Sequence, residues 1–289
     1  MKFGTYFAYW EQKWDVSYTK YVKKVADLGF DVLEVGAAGI VTMSDEELTA
    51  LKEEAKKYHI TLTSGIGLPP EYDVSSTDEN VRQNGISFMK KILDALAKAD
   101  IHAIGGTVYS YWPVDYTKPI DKPAVLSQSI KSVKELADYA LQYDITLLIE
   151  VLNRFEQFLI NDADEALSYI KTINKPNVKV MLDSFHMNIE EDHLGDAIRK
   201  TGDYLGHFHI GECNRKVPGK GHMPWSEIGQ ALRDISYNGC VVMEPFVRTG
   251  GIVGSDIKVF RDLSDHADDA KLDADIKESL QFVKKQFNG

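Results

Sequence analysis

Short apolar runs alternate with longer amphipathic stretches eight times along the chain, and no other feature constrains its fold as strongly. The first run is predicted at Lys2–Tyr9, followed by a helix over Tyr18–Leu28 that stops at Gly29. Val32–Val35 precedes a helix opened by Ser44, with Glu47 three residues on as a capping box. Thr61–Gly65 leads to a long helix over Glu79–Ala99, and Ala103–Thr107 to one over Leu126–Tyr143. The second half repeats the rhythm: Thr146–Glu150 with Asp162–Ile173, Val178–Leu182 with Leu194–Thr201, Leu205–Ile210 with Trp225–Ile235, and Cys240–Glu244 with a last helix near Ile276–Phe287. Strands alternating with helices imply a parallel sheet, and eight such units imply that it closes. The predicted class is therefore α/β, a (β/α)8 TIM barrel forming one catalytic domain over residues 1–289. An open doubly wound sheet is the competing arrangement, but no Gly-rich phosphate loop follows the first strand.

Composition narrows the partners. The chain is 44% hydrophobic, enough to bury a large core. Its net charge of −11 argues against a nucleic-acid partner, whose phosphates call for clustered Lys and Arg. No apolar run approaches the ~20 residues that span a bilayer, so no membrane role is expected. The N-terminus lacks a charged segment followed by an apolar one, and no signal peptide is read there. Two cysteines, Cys213 and Cys240, make no disulfide framework, so reduced thiols and a cytoplasmic location are expected.

In such barrels the chemistry sits at the C-terminal ends of the strands. There the fifth run ends in Glu150, the sixth runs into Asp183, the seventh contains His209 and the eighth ends in Glu244, each about one strand–helix unit from the last. Side-chain parity allows Glu150, Asp183, His209 and Glu244 all to face inward, above Leu148, Met181, His207 and Val242 respectively. Several carboxylates converging on one mouth repel unless a cation neutralises them. Three oxygen donors and one imidazole suit Mn²⁺, Co²⁺ or Mg²⁺. Ordinary rim salt bridges would account for any one of these residues, less readily for four at matching positions.

Other residues fall close by. His186 follows Asp183 by three positions and reads as a group of the same site, with a helix-capping loop histidine as the plainer alternative. Arg215 can hold a substrate oxygen, against a surface ion pair, and Glu156 has similar standing. Glu212 is a lower-ranked extra ligand. Tyr6, Trp112 and Phe246 offer apolar faces with polar tips to a sugar. His207 is expected one layer below His209, while His59, His102, His193 and His266 read as surface or helix-end residues.

The segments Glu150-Val151-Leu152-Asn153-Arg154-Phe155-Glu156, Met181-Leu182-Asp183-Ser184-Phe185-His186-Met187-Asn188, Gly206-His207-Phe208-His209-Ile210-Gly211-Glu212-Cys213-Asn214-Arg215 and Val242-Met243-Glu244-Pro245-Phe246 closely resemble the ketose 3-epimerase family, whose members act on D-tagatose, D-psicose (D-allulose) or L-ribulose. The resemblance runs from Tyr6 to Val259. It implies a (β/α)8 barrel with one Mn²⁺, often replaceable by Co²⁺, assembled as a homodimer or homotetramer. It implies Glu150, Asp183, His209 and Glu244 as metal ligands, and Glu150 and Glu244 as the catalytic carboxylates. Glu156, His186 and Arg215 would surround the reacting end of a ketose, and Ile66, Trp112 and Phe246 would line its pocket. The stretches Gly36–Val41 and Ser64–Pro70 are less familiar and bear on which ketose is preferred.

The reaction so implied inverts C3 of a free ketose, such as D-fructose/D-psicose, D-tagatose/D-sorbose or L-ribulose/L-xylulose. A proton leaves one face and another returns to the opposite face through a cis-enediolate. Two carboxylates serve both faces where one base cannot. Three readings compete: an aldose–ketose or hydroxypyruvate-type isomerase on the same barrel, a multi-metal endonuclease that the charge opposes, and a non-catalytic sugar-binding protein that would not need two carboxylates beside a metal.

Overall fold

Each apolar run finds its two neighbours in sequence, and the eighth returns to the first. In the computed structural model, which describes residues 1–288, the strands are β1 (Lys2–Tyr6), β2 (Val32–Gly36), β3 (Thr61–Ile66), β4 (Ala103–Gly106), β5 (Thr146–Glu150), β6 (Val178–Asp183), β7 (Leu205–Ile210) and β8 (Cys240–Met243). All pairings are parallel, and β8 closes on β1 with Lys2 beside Cys240. The expected (β/α)8 barrel is the observed architecture. Helices wrap the outside, and the residues between barrel and helices, Leu33, Ile149, Leu182, Phe208 and Val241 among them, are fully buried. Burying an aliphatic or aromatic side chain contributes ~1.5–3 kcal/mol each, so this shell holds the barrel closed.

Local signals set the helix ends. Ser44 and Glu47 form the reciprocal capping box: Glu47 N donates to Ser44 Oγ at 3.2 Å, and Ser44 N to Glu47 Oε2 at 2.8 Å. Asp162 caps its helix by accepting from Glu165 N at 2.7 Å. Among the described residues no helix is long and apolar enough to cross a membrane, and both cysteines are free.

Three expectations need correction. The first strand stops at Tyr6, and Phe7–Trp10 turn into a 3-10 segment. The turn docks the C-terminal helix, because Tyr9 Oη donates to Leu272 O and Trp10 Nε1 to Asp273 Oδ1. That helix spans Asp269–Asn288 and begins before the predicted Ile276. Short helices at Ala37–Ile40, Ser184–Glu190 and Gly251–Asp256, none of them predicted, follow β2, β6 and β8 at the functional end.

One irregularity positions the site. Between β6 and β7 the register slips by one residue: Val180 faces Leu205, but Met181 faces His207, and Asp183 therefore faces His209. Gly206 is the extra residue. A Cβ there would lie 2.6 Å from Lys179 Cβ and 2.7 Å from Leu148 Cδ2, so only glycine fits the bulge. Without the slip Asp183 would sit opposite Phe208, whose side chain points to the helical layer, and the acid and imidazole would not meet.

Candidate active site

The strand ends converge on one buried polar cluster. His209 Nδ1 lies 3.9 Å from Glu150 Oε1 and 3.7 Å from Glu244 Oε1. Asp183, directly beside His209 across the sheet, accepts at Oδ1 from Phe185 N at 2.8 Å and so caps the short helix that carries His186. Its Oδ2 and His209 Nδ1 are buried and have no hydrogen-bond partner among the described residues. The ligand-capable atoms of Asp183, His209 and Glu244 lie within 4.8 Å of one another, as do those of Glu150, Asp183 and His186. Orphaned donor atoms of both kinds, aimed at one point between carboxylates, fit a divalent cation.

The two glutamates differ in their surroundings. Glu244 accepts from an Arg215 guanidinium nitrogen at 3.1 Å. Glu150 has no side-chain hydrogen bond among the described residues. Burial raises its pKa well above the ordinary 4.5, with His209 opposing and Glu244 and Asp183 reinforcing the shift. For His209 burial disfavours the charged ring, but Glu34 and Glu244 outweigh it and hold its pKa well above 6.5.

His186 is a different kind of imidazole. Asn153 donates to its Nδ1 from both the backbone N, at 3.3 Å, and the side-chain Nδ2, at 2.7 Å. The ring proton therefore sits on Nε2, which lies 3.6 Å from Asp183 Oδ2. Burial pushes the pKa of His186 down to about 3, against the pull of Asp183, so it is a neutral donor. The helix-capping alternative is excluded, since the ring is buried and the cap is Asp183.

Arg215 is no surface ion-pair residue. It is 8% exposed, its guanidinium lies 3.6 Å from the Phe185 ring centroid, and it is within 3.6 Å of Glu156 Oε1. Its backbone is left-handed at φ 63°, locked by Arg215 N donating to Glu212 O and Phe246 N donating to Arg215 O. Glu212 explains how that loop stays folded. The reading of Glu212 as an extra ligand is wrong: its side chain is committed to Gly219 N at 2.7 Å, Met223 N at 3.1 Å and Trp225 Nε1 at 2.8 Å. Removing a fully buried carboxylate that satisfies three donors should destabilise the protein by ~3 kcal/mol or more. Glu212→Ala is thus expected to lower the thermal midpoint by several degrees, and an unchanged midpoint would contradict this role.

A cavity of about 430 Å³ opens above the cluster. Tyr6, Ile66, Trp112, Glu156, His186, Arg215 and Phe246, all expected near a substrate, line it together with Glu150, His209 and Glu244; Asp183, 1% exposed, lies beneath. Tyr6 and Trp14 meet Phe246 edge-on at 6.1 and 6.3 Å, forming one aromatic wall. Trp112 forms another, anchored by Nε1 donating to Glu156 Oε2 at 3.2 Å. The ring lies so close to Gly67 that a Cβ there would come within 2.8 Å of it. His59, His102, His193 and His266 are exposed, as expected.

Sequence reasoning missed Glu34. It is 2% exposed, on β2, and lies between His207 and His209, whose rings stand 5.3 Å apart. The signal was present: an acid inside the apolar run Val32–Val35, sharing a face with no other charged residue of that strand. Phe7, Trp14 and Tyr18, given no site role from the sequence, also line the cavity.

The profile of the xylose isomerase-like TIM barrels matches residues 22–286. A D-psicose 3-epimerase of Agrobacterium fabrum is 52% identical over 289 residues, covering 100% of both chains. A crystal structure of a D-psicose 3-epimerase in the presence of D-fructose superposes with a TM-score of 0.98, at 52% identity over 100% of each chain. That of a D-psicose 3-epimerase with D-tagatose, from Clostridium cellulolyticum H10, also gives 0.98, at 53% identity over 99% of each chain. Matched over its full length in sequence and in fold to these proteins, the chain belongs to the D-psicose 3-epimerase family of xylose isomerase-like TIM barrels.

Proposed function

We propose that the protein epimerises free ketoses at C3, with Glu150 and Glu244 as the two proton-transferring carboxylates. The observation that carries this reading is that both glutamates approach the same atom, His209 Nδ1, within 4 Å, at the floor of a sugar-sized cavity. Glu150, Asp183, His209 and Glu244 would hold one divalent cation, Mn²⁺ by preference with Co²⁺ or Mg²⁺ as substitutes. Such a cation, when bound, polarises the C2 carbonyl and makes the C3 proton more acidic.

The remaining work belongs to the chain. One carboxylate removes the C3 proton, and the electron pair of that bond moves into C2–C3 to give the enediolate. The other carboxyl group delivers a proton to the opposite face of C3, and the two exchange roles with the epimer bound. Burial raises the pKa of Glu150 in the metal-free fold and a bound cation would oppose that shift, leaving a carboxylate able to take and return a proton. A positioned base supplies ~10²–10⁴-fold, or roughly 3–5 kcal/mol, against the ~8 kcal/mol or more that enzymes provide. Charge stabilisation at the reacting oxygens must therefore add a comparable share. His186, as a fixed neutral donor, and Arg215 are placed to bind oxygens at the reacting end, with Glu156 beside them. Tyr6, Ile66, Trp112 and Phe246 would pack on the rest of the sugar.

Cavity charge favours unphosphorylated substrates. Arg215 is the only Lys or Arg among the lining residues, beside Glu34, Glu150, Glu156, Glu244 and Asp256. A ketose phosphate would meet uncompensated negative charge. D-fructose should be converted and D-fructose 6-phosphate should not, as judged by chromatography of both reactions. Incubating the Mn²⁺-loaded protein with D-fructose, D-tagatose, D-psicose and L-ribulose tests the reaction itself. Appearance of the C3 epimers supports it, and aldose products would replace it with an isomerase. A homodimeric or homotetrameric assembly rests on the family resemblance, and a cytoplasmic location on the free thiols; sedimentation velocity measures the first.

A further inference from the structure

We infer that Glu34 is a positioning residue, which fixes His209 with its proton on Nε2 and thereby directs Nδ1 at the cation. The inference rests on the metal reading of the site. Glu34 Oε1 lies 2.5 Å from His209 Nε2. Its Oε2 accepts from Thr63 Oγ1 at 2.8 Å and lies 3.0 Å from His207 Nε2. A carboxylate ringed by donors accepts only, so the hydrogen between Glu34 and His209 belongs to Nε2. In the neutral ring that a cation binds, the lone pair is then on Nδ1, which is buried, faces Glu150 and Glu244, and has no hydrogen-bond partner among the described residues. Barrel register builds the arrangement: Glu34 stands beside Thr63 on β3 and beside Tyr6 on β1.

The same three residues, Glu34, His207 and His209, could be read as a second metal site, since their donor atoms lie within 4.8 Å of one another. Distance decides against it. Two atoms bound to one ion through bonds of ~2.1 Å stand roughly 3 Å or more apart. The 2.5 Å between Glu34 and His209 is a hydrogen-bond contact, and Thr63 already occupies the other oxygen. Glu34 therefore orients a ligand and raises its basicity rather than binding an ion itself.

The test is equilibrium Mn²⁺ binding to the chelated protein, followed by the electron paramagnetic resonance of free Mn²⁺, for wild type and Glu34→Gln. A neutral amide accepts more weakly and can turn its NH₂ toward His209, so the variant should bind ~10- to 100-fold more weakly, at one ion per chain in both. A purely structural role would lower the thermal midpoint of the metal-free variant and leave affinity unchanged. Equal affinity would overturn the inference, as would two ions per wild-type chain falling to one in the variant. Should Glu34→Gln not fold, Thr63→Val removes one support of the carboxylate and should weaken Mn²⁺ binding in the same direction, with no change counting against the inference. If wild type bound no divalent ion, the metal reading would fail and this inference with it; wild type binding normally while both variants match it would remove this inference alone.

Discussion

Glu150→Gln is expected to lower the turnover of D-fructose by ~10²–10⁴-fold, and Glu244→Gln by a similar factor, with Mn²⁺ raised to saturation in both assays. Each change leaves one carboxylate, which serves one face of C3 and not the other. Glu150→Gln should also stabilise the metal-free protein at neutral pH, because it removes the cost of either protonating this carboxyl group or burying its charge close to Glu244 and Asp183 with no hydrogen-bond donor among the described residues. About 1 kcal/mol or more is at stake, which for a chain of this size is ~2–4 °C in thermal midpoint. Loss of activity together with a gain in stability marks a residue kept for chemistry rather than for the fold. Turnover within a few-fold of wild type in either variant would remove the two-carboxylate scheme.

Chelation is expected to abolish activity, and Mn²⁺ to restore it together with a higher thermal midpoint. The size of that stabilisation should grow with pH. Glu150 and His209 both have raised pKa values in the metal-free fold, so each contributes stability below its unfolded value, 4.5 or 6.5, and loses it as pH rises through the folded value. Glu34 runs the other way: its pKa is depressed, and its contribution is present above 4.5 and lost only as pH falls below that. From mildly acidic to mildly alkaline pH the metal-free protein should therefore become less stable. Cation binding requires a deprotonated carboxylate and a free Nδ1, so it releases protons and tightens as pH rises. Thermal unfolding with and without Mn²⁺ across this range reads the effect. A stabilisation independent of pH would mean that the cation does not sit on Glu150 and His209.

Much of this was written in the chain. The eight-fold alternation dictates a closed parallel barrel, and the strands Thr146–Glu150 and Leu205–Ile210 fall where the apolar runs put them. Parity along β5 to β8 turns Glu150, Asp183, His209 and Glu244 inward near one rim. Other features depend on contacts far apart in sequence. The register slip at Gly206 leaves no mark in a pattern of alternating residues, yet it brings Asp183 beside His209. Glu212 looks like a ligand because it follows the seventh strand; only the path of its own loop shows that three donors claim it. Glu34 sits in a run read as apolar, and its partners are 29, 173 and 175 residues away. The strand Lys2–Tyr6 ends early because Tyr9 and Trp10 are needed against a helix at the other end of the chain.

Conversion of D-fructose in D₂O by the Mn²⁺-loaded protein, with the product examined by proton NMR, tests the central claim most directly. Proton removal and return at C3 predict D-psicose carrying deuterium at C3 and hydrogen at C1. An aldose carrying deuterium at C2, or ketose labelled at C1, would indicate isomerisation instead, and D-psicose formed with its original C3 hydrogen would contradict transfer through two solvent-exchanging carboxylates.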